Sequence, residues 1–333
     1  MPLSASTLPF NSDEPVAPWD KPVPAEIVRR LSALQPLRAL AHIALEWLLV
    51  AAAIYLSIRL WRWNVYAGAV GYLAAVLWIG ARQHAIAILM HEAAHYRLFR
   101  SRVLNDLLGE LLVGWPMLLS MRAYRRLHFA HHRSPNTEDD PDWMLRLNRD
   151  WQFPKTRRDL LRIFALDILG LHIWDQLEFF GRYAYDKGQK KTWLDYLAAV
   201  YFGALIFILS WYGLWMFFLL YWVVPLMTWL KVALRLRTIG EHYALEYDHI
   251  FRQTRTTYPT LLERLLIAPK NIAYHLDHHL YPSVPFYNLP ALHEELLRHD
   301  EFRTQAHLTG SYLQVLGECL RCAPTPAATA SGK

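Results

Sequence analysis

Residues 196–230 read YLAAVYFGALIFILSWYGLWMFFLLYWVVPLMTWL and hold no charged side chain between Asp195 and Lys231. An apolar helix needs about 20 residues to cross a hydrocarbon core about 30 Å thick. The run is therefore long enough for two short spans meeting near Ser210-Trp211-Tyr212-Gly213, expected at 195–212 and 213–231. Toward the N-terminus a second pair is readable at about 40–60 and 64–84. Glu46 and Arg59 stand near the ends of the first of these, within reach of the interface. The expected fold class is an all-α integral membrane protein, four transmembrane helices in two hairpins with a cytoplasmic helical cap.

Charge placement gives the orientation. Arg29, Arg30 and Arg38 precede the first span, and Arg82, Arg97, Arg100 and Arg102 follow the second. Lys187, Lys190 and Lys191 precede the third, and Lys231, Arg235 and Arg237 follow the fourth. The intervening turns carry only Arg59 and Arg62, or no basic residue. The positive-inside rule then puts both termini and the large middle loop in the cytoplasm. The net charge of +6 is accounted for by this signal and by attraction to anionic headgroups, and basic residues that flank spans fit nucleic-acid binding poorly. Residues 1–35 read as a polar tail without a signal-peptide pattern. Residues 311–333 read as a helix end and tail; the two extremes, 1–25 and 323–333, are expected to be disordered. The segment 104–121 is apolar but interrupted by Asn105, Asp106 and Glu110, which suggests a helix lying against the interface.

Eight of the sixteen histidines fall in three clusters: His91-Glu92-Ala93-Ala94-His95, His128-Phe129-Ala130-His131-His132, and His275-Leu276-Asp277-His278-His279. Residues three and four apart share a helix face, so each cluster can aim two or three rings at one point. Neutral imidazole ligates transition metals, and a nitrogen-rich site suits iron, copper, nickel or zinc rather than magnesium or calcium. His242, in Gly240-Glu241-His242-Tyr243, is the candidate ninth ligand. First-row metals take four to six ligands, so eight or nine imidazoles imply two ions. His84, two turns before His91, is expected in a hydrogen-bonding or substrate-tunnel role. His42, His172, His249, His293, His299 and His307 lack cluster spacing and read as surface or interface residues. Cys319 and Cys322 form a lone CxxC, read as a reduced pair.

Three other chemistries use parts of this pattern. His91-Glu92-x-x-His95 satisfies the zinc-protease helix, with Glu as general base, but leaves at least five clustered histidines unexplained. Carboxylate-bridged di-iron bundles need further inward-facing Glu residues. A bis-His haem needs histidines inside the spans.

In order and spacing, HxxxH, HxxHH and HxxHH beside two hydrophobic hairpins, the chain resembles the membrane fatty-acid desaturase and hydroxylase family. The likeness covers about residues 40–300. Its most specific stretches are His91 to His95 with Leu98-Phe99-Arg100, His128 to Pro135, and Tyr274 to Pro285. The short gap in the first cluster looks more like desaturases of lipid-linked acyl chains than the acyl-CoA type. The resemblance implies a desaturase domain over 36–310 and two iron ions held by His91, His95, His128, His131, His132, His275, His278 and His279, with His242 the ninth. It implies O2 as co-substrate, a fatty acyl or other membrane-lipid substrate, and either a new double bond or a hydroxyl as product. No His-Pro-Gly-Gly haem motif occurs, so the electrons are expected from a separate ferredoxin, rubredoxin or cytochrome b5 type carrier and its reductase. Glu92, Asp139, Asp140, Asp142 and Asp277 are candidate partners that orient imidazole N–H groups.

Overall fold

The structure is a computed structural model that describes residues 21–184 and 188–321. Most of the N-terminal tail, Lys187, Cys322 and the C-terminal tail lie outside the described residues. Four helices are long and apolar enough to cross a membrane, as the sequence suggests: α1 (Pro36–Trp63), α2 (Val65–Ala94), α6 (Trp193–Trp211) and α7 (Trp215–His242). Between α2 and α6 lie α3 (Met121–Arg133), α4 (Arg157–Ile168) and α5 (Ile173–Tyr183). After α7 a short α8 (His275–Leu280) sits beside a parallel strand pair, β1 (Thr256–Thr257) and β2 (Leu308–Thr309).

The first hairpin turns on one residue. Asn64 is extended, and its Oδ1 accepts from the Tyr66 and Ala67 amides at 2.8 and 3.2 Å, capping α2. Directly after the turn, Gly68 meets Trp61 so closely that a Cβ would lie 2.4 Å from the indole. The second hairpin turns at Gly213, in the left-handed region at φ +64°. Of the most apolar window of α2, 72% is buried, against 11% for α6. The second span is therefore the central post, and the third faces lipid along most of its surface.

Two spans run further than their apolar stretches. No helix-breaking residue follows residue 84, so α2 continues ten residues to Ala94. The fourth span, which carries a π-type turn at Leu219–Val223 and a local break at Thr228, likewise continues past 231 to His242. Both extensions carry histidine candidates.

The segment 104–121 is not simply interfacial. Helix Arg102–Gly109, with the irregular turns after it, meets α3 at 92°. Asn105 and Glu110 are completely buried. Glu110 accepts hydrogen bonds from Ser120 Oγ at 3.1 Å and from the Met121 and Arg122 amides at 3.0 and 3.2 Å, so a buried carboxylate caps the start of α3.

Glu46 is not at the interface. It is 1% exposed, with Arg82 Nη1 at 3.1 Å on one oxygen and Lys270 Nζ at 2.6 Å on the other. This triad ties α1, α2 and the loop before α8 together. Removing one member of a buried ion pair leaves an uncompensated charge and costs about 3–5 kcal/mol. Glu46→Ala is expected to lower the thermal unfolding midpoint of the purified protein markedly, whereas Arg59→Ala, on the exposed flank of the same helix, leaves it nearly unchanged.

Candidate metal centre

The nine sequence-selected histidines meet in two groups. His91, His95, His128, His132 and His278 form one; His131, His242, His275 and His279 form the other. Within each, one nitrogen per ring lies within 4.8 Å of all the rest. Each cluster is expected to aim two or three rings at one point, and in each HxxHH motif two rings do so while the third turns to the other group. Residues i and i+4 project nearly together, while i+3 is turned to the other side of the helix stripe. His128 and His132 thus join the first group and His131 the second; His275 and His279 join the second and His278 the first. Each motif bridges both groups, which sets them side by side.

The spacing fits metal ligation. His128 Nε2 is 2.9 Å from His95 Nε2 and 3.0 Å from His132 Nε2, and His132 Nε2 is 3.1 Å from His278 Nε2. In the second group His275 Nε2 lies 2.8 Å from His242 Nε2 and 3.0 Å from His279 Nε2. Nitrogens about 2.1 Å from an ion and at right angles across it are about 3.0 Å apart. Chains of facing Nε2 atoms cannot all be satisfied by one proton per neutral ring. A cation in each group removes the conflict. Burial, above all, pushes His95 down to about 3 and holds His128, His132, His275, His278 and His279 well below the ordinary imidazole range. These rings therefore stay in the neutral form that a metal ion requires.

The surrounding polar residues orient the rings unevenly. Asp140 Oδ2 lies 2.8 Å from His131 Nδ1, and Asn136 Oδ1 3.1 Å from His242 Nδ1. Glu241, itself bonded to Arg237 at 2.6 Å, stands 3.2 Å from His275 Nδ1 without hydrogen-bonding it. Around the first group the corresponding support is looser: Tyr124 OH at 3.4 Å from His128 Nδ1, and Glu92 Oε1 at 3.5 Å from His91 Nδ1. Of the candidate orienting carboxylates, Asp140 is in place. Asp139 is exposed, and Asp142 is engaged by Tyr183 OH and Arg146. Asp277 binds His293 Nδ1 at 2.7 Å and Thr256 Oγ1 at 2.5 Å. His293 is accordingly a buried anchor of α8, which corrects its reading as a surface residue. Glu92 accepts the Phe286 amide at 3.0 Å, pinning the loop after α8 onto α2. Asn136 and Glu241 escaped the sequence reading; each becomes legible only once its partner ring is located.

His84 belongs to neither group and does not line the cavity beside them. That cavity, of about 180 Å3, is lined in part by His128, His131, His242 and His275. Apolar walls come from Met90, Met117, Leu119, Phe179, Leu230 and Leu234; Arg146, Lys231 and Arg235 add charge.

With this geometry, comparison with known proteins identifies the class. The fatty acid desaturase family model matches residues 67–308, and the chain belongs to that family. Among its relatives is a dihydrorhizobitoxine desaturase of Bradyrhizobium elkanii, 29% identical over 290 residues, covering 79% of this chain and 77% of that protein. The sn-1 oleoyl-lipid 12-desaturases of Synechocystis sp. and Anabaena variabilis are 25% and 24% identical over 324 and 259 residues. They cover 89% and 70% of this chain, and 86% and 73% of their own lengths. The chain is thus an oxidoreductase of the desaturase type with a histidine-rich site built for two metal ions.

Substituting a residue that orients a ligating imidazole typically weakens metal binding 10- to 100-fold. Asp140→Asn is expected to do so for one of two ions, leaving the other tightly bound. Competitive titration with a chelator, followed by metal counting, checks this; equal loss of both ions contradicts it.

Proposed function

We propose that the protein introduces a double bond into a membrane-borne fatty acyl chain, using O2 and two iron ions. The observation that carries this reading is the pair of imidazole groups gathered at the ends of two spans, opening on a partly apolar cavity. In this proposal His91, His95, His128, His132 and His278 hold one iron, and His131, His242, His275 and His279 the other. Unactivated C–H bonds have no acidic hydrogen, so acid–base groups alone cannot oxidise them. The bound irons would supply O2 reduction. For each saturated –CH2–CH2– unit, one O2, two electrons and two protons are consumed, and –CH=CH– and two waters leave. The chain's own residues orient two of the rings through Asp140 and Asn136 and would hold the reacting carbons in the cavity beside the histidines. The desaturase unit is read as 36–310, with both termini and the site cytoplasmic on the positive-inside argument. Electrons come from a separate ferredoxin, rubredoxin or cytochrome b5 type carrier with its reductase.

A second reading has an observation of its own. Arg146, Lys231, Arg235, Trp143 and Tyr243 also line the cavity, and the Trp143 indole N–H, the Tyr243 hydroxyl and Arg235 Nη1 are buried without partners among the described residues. These donors suit an oxygen-bearing polar group near the reacting carbons. They favour desaturation of a smaller amphiphile; the Bradyrhizobium relative is named for dihydrorhizobitoxine as its substrate. Hydroxylation is the remaining outcome of the same chemistry.

Expression in a host lacking such lipids, followed by mass spectrometry of acyl chains and of small polar extracts, separates these readings. The lead reading predicts a new monoene in the lipid fraction. His131→Ala and His278→Ala are expected to abolish it and lower iron content. Glu92→Gln retains substantial activity, since an amide oxygen still accepts the Phe286 N–H, whereas a protease-type base would lose all of it.

A further inference from the structure

Between the second and third spans lies a helical hairpin that the apolar pattern of the four spans does not include. Helix α4 presents Leu161, Ile168 and Leu169 to the outside, and α5 presents Ile173, Trp174 and Leu177. Residues at i, i+7 and i+8, or at i, i+1 and i+4, share one helix stripe, so these form two apolar faces rather than scattered exceptions. At the turn between the helices, Leu171 is 60% and Trp174 78% exposed. Soluble surfaces rarely leave so many large apolar side chains together in water.

Two further observations say what covers them. The first is depth. Gly170, in the turn at φ +69°, packs on the fourth span, with an added Cβ 3.7 Å from Met227 O and from Thr228 Cγ2. Trp211, Tyr212 and Trp215 form an aromatic cluster at the opposite end of that hairpin, as residues at a bilayer boundary do. From Trp215 to Thr228 a helix climbs about 20 Å of a core about 30 Å thick. The turn therefore lies at a level that hydrocarbon still occupies. The second is charge. Exposed Arg157, Arg158 and Arg162 stand at the open end of α4, and Arg182 at the open end of α5. In between, Asp167 is buried on Arg235 and His172, and Asp175 faces Lys231 and Arg235. Glu178 faces Arg182, back toward the open end. Basic residues at headgroup level with apolar and Trp side chains beyond them are the pattern of a helix seated in one leaflet.

We propose that the α4–α5 hairpin is inserted in the lipid leaflet on the metal-site side, with the turn at residues 169–174 among the acyl chains. The opposite face of α5 carries Gln176, Phe179, Phe180 and Tyr183, which line the cavity leading to the histidines. Helix α5 is thereby the partition between bilayer and cavity, and a lipid-borne substrate reaches the metals by passing along it. Only the name cytoplasmic for that leaflet rests on the orientation proposed above. The insertion depends on neither iron nor turnover.

The test uses the full chain reconstituted in phosphatidylcholine–phosphatidylglycerol vesicles. Phosphatidylcholine with a diazirine on its acyl chain is photoactivated, and tryptic peptides are mapped by mass spectrometry. No Lys or Arg occurs between Arg162 and Arg182, so the peptide 163–182 reports the turn by itself. Labelling of that peptide at residues 169–174 is expected, at a level comparable with span α1. A peptide labelled no more than the exposed segment around Glu138 overturns the proposal. Independently, a spin label at Leu171→Cys, in a Cys319→Ala/Cys322→Ala background, should be relaxed more by O2 than by aqueous nickel chelate, as at Leu48→Cys. Stronger relaxation by the nickel chelate, as at Glu138→Cys, refutes insertion. Lipid contact without any new double bond leaves this proposal standing and removes the function proposed above; the reverse pair of results does the opposite.

Discussion

Nine imidazoles packed into two buried groups, with nitrogens about 3 Å apart and too few protons to bridge them, form an arrangement that protein alone does not favour. Each ring gives up water, and facing lone pairs repel. Such a cluster persists because cations occupy its two centres or because the surrounding fold over-determines it. Here the fold holds the same residues that would bind the cations. Asp140 and Asn136 fix two of the rings, Asp277 and His293 fix the short helix that presents three more, and Glu92 ties the following loop to the second span.

The long spans follow from this requirement. A helix that ended where its apolar stretch ends would leave His91 and His242 on mobile connections. By continuing as rigid rods beyond the bilayer level, α2 and α7 deliver a ring from each to a common place, and the central position of α2 anchors that place against the rest. The bent joint capped by Glu110 then turns α3 back across the ends of the spans. The short loop helix α8 closes the site from the C-terminal side. The buried Glu46–Arg82–Lys270 triad holds the loop before α8 at the right height. Polar groups inside the membrane-facing part of the molecule thus serve the position of the metal site.

Much of this was legible in the sequence, for definite reasons. Apolar length gave the four spans, and the three histidine spacings gave eight of the nine rings, because helical period and ligand chemistry are local properties; His242 was suggested by its place just past the fourth span. What escaped depends on contacts between distant residues. Glu46 looked like an interfacial charge because its partners are 36 and 224 positions away. Asp277 sits inside a histidine cluster yet turns to His293, a choice set by the strand pair beneath α8. The sharing of each HxxHH motif between two groups follows from helix geometry, but only once the second group of ligands has a known direction. The hairpin α4–α5 was missed because its apolar residues are spaced for one face and interrupted by charges, so no window of span length reveals it.

The most direct test of the account is the metal itself. Protein purified under reducing, oxygen-free conditions should contain two iron ions per chain, and X-ray absorption should show each in a shell of four or more nitrogens at about 2.0–2.2 Å. A single zinc with three protein ligands, or iron in a mainly oxygen or sulfur shell, would contradict the claim that these nine rings build a two-metal centre.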